Sequence, residues 1–340
     1  MAYIIKGTTV ISDAGAIDSA QSKIIANSSL TLAARIYSPV QGSTSGYTSG
    51  GEIGSLNMVN TIDKFPFAAD GNATDVGDLT APTRRAAAGQ SSAESGYTSG
   101  GLAYPGPFAY LNVIDKFPFA ANANATDVGD LTQARHDPTG QSSEENGYTS
   151  GGSTSIPNVL QNTIDKFPFA ANANATDVGN LTVQKNSLAG QSSTVSGYTS
   201  GGGAPGNVTT NVIEKFPFAT NANAADVGDL TRVSVSPIGQ ASDVSGYTSG
   251  GVSPPVSPPI VNVIDKFPFA SNANATDVGD LTQARTIAAG QSSTSSGYTS
   301  GGSAPAYANT IDKFSFAADA NATDVGDLTQ ARFGPAGQQV

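Results

Sequence analysis

Gly297-Tyr298-Thr299-Ser300-Gly301-Gly302, then Ile311-Asp312-Lys313-Phe314-Ser315-Phe316, then Thr323-Asp324-Val325-Gly326-Asp327-Leu328-Thr329: this phrase, in close variants, recurs six times in 340 residues. Its tyrosine falls at Tyr47, Tyr97, Tyr148, Tyr198, Tyr247 and Tyr298, at spacings of 50, 51, 50, 49 and 51 residues. A fixed period of this length with strand-like content denotes repeated supersecondary units. It overrides the two-domain expectation that length alone would suggest.

One unit, Ala288 to Arg332, yields four strands. Ala289–Ser293 and Gly297–Gly302 are adjacent strands joined by a Ser-rich turn, and the Gly pair ends the second because Gly readily takes positive φ. Asn309–Phe316 is rich in aromatic and β-branched residues and forms the third strand. An Ala-Asn turn leads to a short fourth strand at Val325–Thr329. Pro66, Pro118, Pro168, Pro217 and Pro268 must mark a strand end or bulge, since proline cannot donate to a ladder. No 12-residue stretch has helical periodicity. Four short strands per unit, repeated radially, describe an all-β, six-bladed β-propeller. An open solenoid fits less well, because its coils are usually much shorter. The units lie near 36–85, 86–135, 136–185, 186–234, 235–285 and 286–340, after a separate segment 1–35.

The order Ile213-Glu214-Lys215-Phe216, Leu281-Thr282-x-Ala284-Arg285, Ala289-Gly290-Gln291-Ser292-Ser293 and Tyr298-x-x-Gly301-Gly302 resembles the kelch repeat. That resemblance implies a propeller fold and leaves function open, because propellers host unrelated activities. The chain departs from the family pattern in having no Trp, and in carrying Gln90, Gln141, Gln191, Gln240 and Gln291 where the family has His. The ends of the repeat region suggest how the ring closes. Leu30–Arg35 echoes the Leu-Thr-Gln-Ala-Arg phrase, the first unit departs from pattern at Pro39–Gly42, and Pro335–Val340 restarts the pattern and stops. The C-terminal fragment is expected to lie beside the first blade and join the two ends.

Comparison among the six copies separates a near-constant frame from two variable patches. One follows each Gly-Gly, as at 52–60, 102–112 and 252–262; the other follows each Leu-Thr, as at Arg135–Pro138 and Val233–Pro237. In an up-and-down blade the second-to-third loop and the blade-to-blade connection emerge on one face, and the remaining turns on the other. Loops on a rigid scaffold commonly carry binding. Tyr104, Phe108, Tyr110, Pro254, Pro255 and Tyr307 are therefore the candidate contact residues.

Composition narrows the function classes. A net charge of −11 disfavours nucleic acid, whose binding needs Lys and Arg against phosphate, and disfavours anionic membranes. Without cysteine there is no disulfide, thiolate metal site or thiol nucleophile. No apolar run is long enough to span a bilayer, and Met1–Ser12 lacks a signal-peptide core, so synthesis in a cytoplasm is expected. The single histidine, His136, lies in a variable loop and supports no paired acid/base site. No enzyme activity, cofactor or metal is expected. Asp63, Asp115, Asp165, Glu214, Asp265 and Asp312 recur once per blade and fit a repeated ion pair or turn hydrogen bond. The Asp-Val-Gly-Asp phrase is too poor in oxygen ligands for a Ca²⁺ loop. Asn72, Asn124, Asn174, Asn274 and Asn321 fit Asn-x-Thr sequons but are better read as turn formers.

The opening Tyr3-Ile4-Ile5-Lys6-Gly7-Thr8-Thr9-Val10-Ile11 has the form of a strand, a Gly turn and a second strand. It is similar to the start of marine bacteriophage tail-fibre and virion appendage proteins, and the repeat phrase also resembles proteins of marine phages. The resemblance implies a non-enzymatic virion structural protein. Residues 1–35, with Ile4, Ile5, Val10 and Ile11, would attach it to other virion proteins, and the propeller would meet a host surface glycan or receptor. A free propeller lectin or protein-binding adaptor is the alternative. The sequence leaves homo-oligomerisation open, although nothing in it resembles a coiled coil.

Overall fold

The computed structural model describes residues 3–5, 8–11, 41–104, 108–154, 159–255, 257, 259–304 and 306–340. The chain divides into two compact units, Met1–Tyr37 and Ser38–Val340. In the first, Tyr3–Ile5 pairs antiparallel with Thr8–Ile11, as the opening pattern predicts. The expected echo at Leu30–Arg35 lies outside the described residues.

The second unit is the six-bladed propeller. Each blade is a four-stranded antiparallel meander; in blade 2 the strands are Ala88–Ser91, Ser95–Ser99, Val113–Pro118 and Thr126–Asp130. The prolines end the third strand, as in Val263–Pro268, because the missing N–H falls where the ladder stops. The register shift comes earlier, between Ile264 and Asp265 and at the matching place in every blade. The fourth strand runs Thr323–Asp327, two residues earlier than the sequence pattern suggests. Leu328 leaves the ladder to enter the core, and Thr329 turns to bond Asp63 of the next blade.

Blade 1 takes its first strand from the other end of the chain. Ala336–Gln339 pairs antiparallel with Ser45–Ser49, with Gln338 opposite Tyr47. The restart of the pattern at Pro335 is thus the closing strand of the ring. Residues ahead of blade 1 do not form that strand: Gly42 N–H donates to Ser292 O at 2.8 Å, and Gln41 Nε2 donates to Ala241 O at 3.1 Å.

The core lies between blades. Tyr47, Ile62 and Leu79 of blade 1 meet Phe117, Phe119 and Ala125 of blade 2, and the set repeats at all six interfaces. The Tyr97 ring stacks on Phe169 of the following blade at 4.8 Å and leans on Phe167 at 5.5 Å. The glycine before each tyrosine is required by the same rings: a Cβ on Gly96 would collide with Phe117, the residue opposite it in the ladder. An aromatic ring thus covers a bare glycine, which pins the register.

Around the axis, glycine sets the radius. A Cβ on Gly89 would strike the Gly337 carbonyl, and Gly140, Gly190, Gly239, Gly290 and Gly337 meet their neighbours alike. The glutamine that follows each links blades. Gln90 Nε2 donates to Tyr148 O, Ser99 Oγ and Thr149 Oγ1 at 2.9–3.0 Å. Gln141, Gln191, Gln240, Gln291 and Gln338 repeat the link to the next blade. At the rim, Asn124 Oδ1 accepts the Asp78 N–H at 3.0 Å, and Ala125 N–H donates to Asp78 O at 2.7 Å. The Asn of the sequon-like phrase therefore staples one blade to the next.

Candidate binding face

The connectivity gives the propeller two different faces. On one, the first-to-second turn bonds the end of the third strand, as where Phe119 N–H donates to Glu94 O at 2.9 Å. Gln41 and Gly42 lie on this face, beside the turn that starts at Ser293. On the other, each blade-to-blade connection pairs with the second-to-third loop of the blade it leads into. Arg85 and Leu102 exchange backbone bonds of 3.1 and 2.9 Å, and so do His136 and Ser153, Asn186 and Gly203, Val235 and Val252, Thr286 and Ser303, and Phe333 and Glu52. Both variable patches thus share one face, and each is held by the same two-bond clamp.

Inside those clamps a second ring closes on itself. Ala86 N–H donates to Gly334 O, Asp137 N–H to Ala86 O, Ser187 N–H to Asp137 O, Ser236 N–H to Ser187 O, Ile287 N–H to Ser236 O, and Gly334 N–H to Ile287 O. All six residues have left-handed φ, from 53° to 71°, and only Gly334 takes it without steric cost. They surround the mouth of the central channel, a cavity of about 140 Å³. The backbone here is a six-fold rigid mount, and the side chains on it vary among Ala, Asp, Ser, Ile and Gly.

On this mount the aromatic residues are unevenly placed. Eighteen Tyr and Phe residues belong to the inter-blade frame, as three from each of six copies. The other described aromatic side chains are Tyr104, Phe108, Tyr110, Tyr307 and Phe333, all on the variable face of blades 6, 1 and 2. Tyr104 and Phe108 lie 5.3 Å apart, centroid to centroid, on one hairpin, and Phe108 is 40% exposed. Tyr110 stacks on His136 at 5.0 Å, and His136 Nδ1 lies 3.0 Å from Asp137. Tyr307 lies 4.6 Å from Phe333, and its hydroxyl donates to Glu52 Oε1 at 3.3 Å. Arg85 covers the Phe333 ring at 5.1 Å and pairs with Glu52 at 3.2 Å. Burial, and then the Glu52 carboxylate, push the Tyr307 phenol up from its ordinary value. Arg85 links the two halves of the sector, because its backbone clamps Leu102, whose ladder partner is Tyr110.

Of the six expected contact residues, four fall in this sector. Pro254 and Pro255 are exposed on the corresponding loop of blade 5. Sequence comparison alone missed Arg85, Glu52 and Phe333. Arg85 and Phe333 share one signal: the residue just after the Arg, the Lys or, in blade 5, the Ser that ends the Leu-Thr phrase is Arg85, His136, Asn186, Val235, Thr286 or Phe333, and never repeats.

The recurring carboxylates belong to the frame. Asp115 accepts from Thr80 N–H at 2.9 Å, from Thr80 Oγ1 at 2.6 Å and from Arg84 Nη1 at 3.0 Å, with both charged side chains fully buried. The partner is the arginine of the preceding connection; the adjacent Lys116 lies over the Tyr97 ring instead. Asp75 Oδ1 accepts the Gly77 N–H at 3.1 Å, so the Asp-Val-Gly-Asp phrase bonds to itself at the bulge of the fourth strand. Among the described residues no cluster of three or more His, Cys, Asp or Glu could hold a metal.

No protein family profile and no curated protein matches the sequence. Among solved structures, that of YjhT superposes with a TM-score of 0.65 over 83% of this chain and 98% of its own, at 12% identity. At that identity the likeness defines the class, a six-bladed β-propeller, and nothing of its chemistry.

Proposed function

We propose that the chain is a non-enzymatic bacteriophage virion structural protein, a fibre, appendage or decoration, that uses its kelch-like propeller for adhesion. The observation that carries this reading is polarity. One face is built from near-identical turns and receives the chain at Gln41 and Gly42. The other holds every long variable loop and the aromatic sector around Tyr104, Phe108, Tyr110, Tyr307 and Phe333. A display protein needs this division: attachment through one end and a variable, rigidly mounted surface at the other.

In this reading the hairpin of Tyr3–Ile5 and Thr8–Ile11 joins other virion proteins, and the aromatic sector meets a host surface glycan or receptor. Rigid aromatic side chains give large contact area at low entropic cost. Arg85 is neutralised by Glu52, so the sector offers stacking faces and hydrogen-bonding groups more than net charge.

The test is to look for the chain in purified particles by mass spectrometry, with and without residues 1–35. The reading expects the full chain in particles and loss of incorporation on truncation, while the isolated propeller keeps its melting temperature. Absence of the full chain from particles, or undiminished incorporation of the truncated chain, would refute it.

A further inference from the structure

Five blades share one buried arrangement, and the sixth departs from it. In blade 2, Arg84 donates from Nε to Gly100 O at 2.7 Å, from Nη1 to Asp115 at 3.0 Å, and from Nη2 to Thr98 O and Val113 O at 3.0 and 2.8 Å. Arg135, Arg285 and Arg332 bind Asp165, Asp312 and Asp63 in the same setting. Blade 4 keeps the pair with the lengths exchanged: Lys185, shorter than Arg, meets Glu214, one methylene longer than Asp, at 2.9 Å. All five keep a buried cation on one carboxylate, and in the four arginine blades the cation also bonds backbone carbonyls.

Blade 5 has the cage and no cation of its own. The carboxylate is Asp265, the carbonyls are those of Thr248, Gly250 and Val263, and the arginine position is Ser234. Ser234 Oγ reaches Gly250 O at 3.4 Å. Asp265 keeps its bonds from Thr231, at 2.9 Å from the N–H and 2.7 Å from Oγ1. Ser is smaller than Arg by most of a side chain, and the site is slightly more accessible than its counterparts. Asp265 and Thr248 are 3% and 4% exposed, whereas all five counterparts of each are at 0%. The cation that acts on Asp265, Arg232, pairs with Asp277 at 3.7 Å and makes no salt bridge to Asp265. A buried carboxylate is costly without a counter-charge. Burial is the first cause that pushes Asp265 up from the usual carboxylate range, against the Thr231 bonds and Arg232 that pull it down.

The geometry points to a binding site for a small planar guanidinium cation between blades 4 and 5, formed by Asp265, Ser234 and the carbonyls of Thr248, Gly250 and Val263. The fit is that of the guanidinium groups in the sister blades: Arg84 bonds the carboxylate and all three equivalent carbonyls, and Arg135, Arg285 and Arg332 each bond the carboxylate and two of the three. A guanidinium can reach the carboxylate and the carbonyls together through its planar fork of N–H donors, as Arg84 does in blade 2; potassium is the control for a spherical cation and urea for a planar donor without charge. The site is separate from the proposed adhesive face and independent of it.

Thermal melting of the whole chain tests this with guanidinium chloride at millimolar concentration, against equal potassium chloride and equal urea. A ligand that binds only the folded state raises the melting temperature in a saturating way. The expected result is such a rise with guanidinium alone. It should be lost in Ser234→Arg, which supplies the group covalently, and in Asp265→Asn, which keeps an acceptor for Thr231 but removes the charge. Direct titration by calorimetry gives the same comparison if a variant melts irreversibly. An equal rise with potassium chloride, no rise in the unaltered chain, or an undiminished rise in Asp265→Asn overturns the proposal.

Discussion

Asp165→Asn and Asp265→Asn make the same chemical change at equivalent positions, and the structure predicts opposite consequences. Asp165 pairs with Arg135 at 2.8 Å, and both side chains are at 0% exposure. Removing its charge leaves a buried guanidinium without compensation, a loss of about 3–5 kcal/mol. In a chain of this size that corresponds to a fall in melting temperature of roughly 5–8 °C. Asp265 faces Ser234 instead of an arginine, so the neutral amide relieves a buried charge while Thr231 keeps an acceptor. Asp265→Asn should lie within about 1 kcal/mol of the unaltered chain at neutral pH, on the stabilising side.

The pH dependence follows from the same burial. The Asp265 carboxyl is raised in the folded state, so its share of stability is fully present below the ordinary carboxylate value. That share is lost as pH rises through the raised value. Asp265→Asn should remove this loss and flatten the profile above the carboxylate range. Asp312 is raised in the same direction, with Arg285 pulling it back, and its contribution persists in both variants. Urea unfolding across pH is the appropriate assay, because guanidinium would occupy the cage, and an unchanged slope with denaturant keeps the comparison on stability. Equal losses in the two variants, or a larger loss in Asp265→Asn, would refute the reasoning.

Three further outcomes check the frame. Deleting residues 336–340 removes the first strand of blade 1 and opens the ring, so cooperative unfolding should shift markedly to lower temperature; unchanged melting would exclude closure by this strand. Gly140→Ala places a Cβ against the Gly89 carbonyl on the axis and should cost about 1–3 kcal/mol by overpacking, read from denaturant midpoints. Asn174→Ala removes the acceptor for the Asp130 N–H, a 3.0 Å rim staple, and should cost about 1 kcal/mol by the same measurement.

Much of the fold was legible because the same short-range pattern is written six times. The strands of the unit ending at Arg332 follow from the Gly-Tyr and Ile-Asp-Lys-Phe phrases, and the restart at Pro335 announced the closing strand. What was not legible runs between blades. Asp115 stands beside Lys116 in sequence, yet its partner is Arg84, brought in by the preceding connection. Asn124 has the pattern of a turn former, and its bond to Asp78 exists only once two blades meet. The position of Gln90 marked a departure from the kelch pattern, and only the packed interface assigns it a link to Tyr148 and Thr149. On the variable face, aromatic composition pointed to Tyr104, Phe108 and Tyr307. Glu52 and Arg85 were missed because their pairing crosses from one blade to the next.

The account rests most heavily on the difference between the two faces, and cell adhesion by the purified chain measures it directly. One variant replaces Tyr104, Phe108 and Tyr307 with alanine; a second replaces the exposed Val195 and Val244 of the opposite face with serine. With both variants melting like the unaltered chain, the account predicts that the first loses host-cell binding by about thirtyfold or more, the scale of hot-spot aromatic loss, and that the second binds unchanged. Full binding by the aromatic variant, or loss of binding by the valine variant alone, would contradict it.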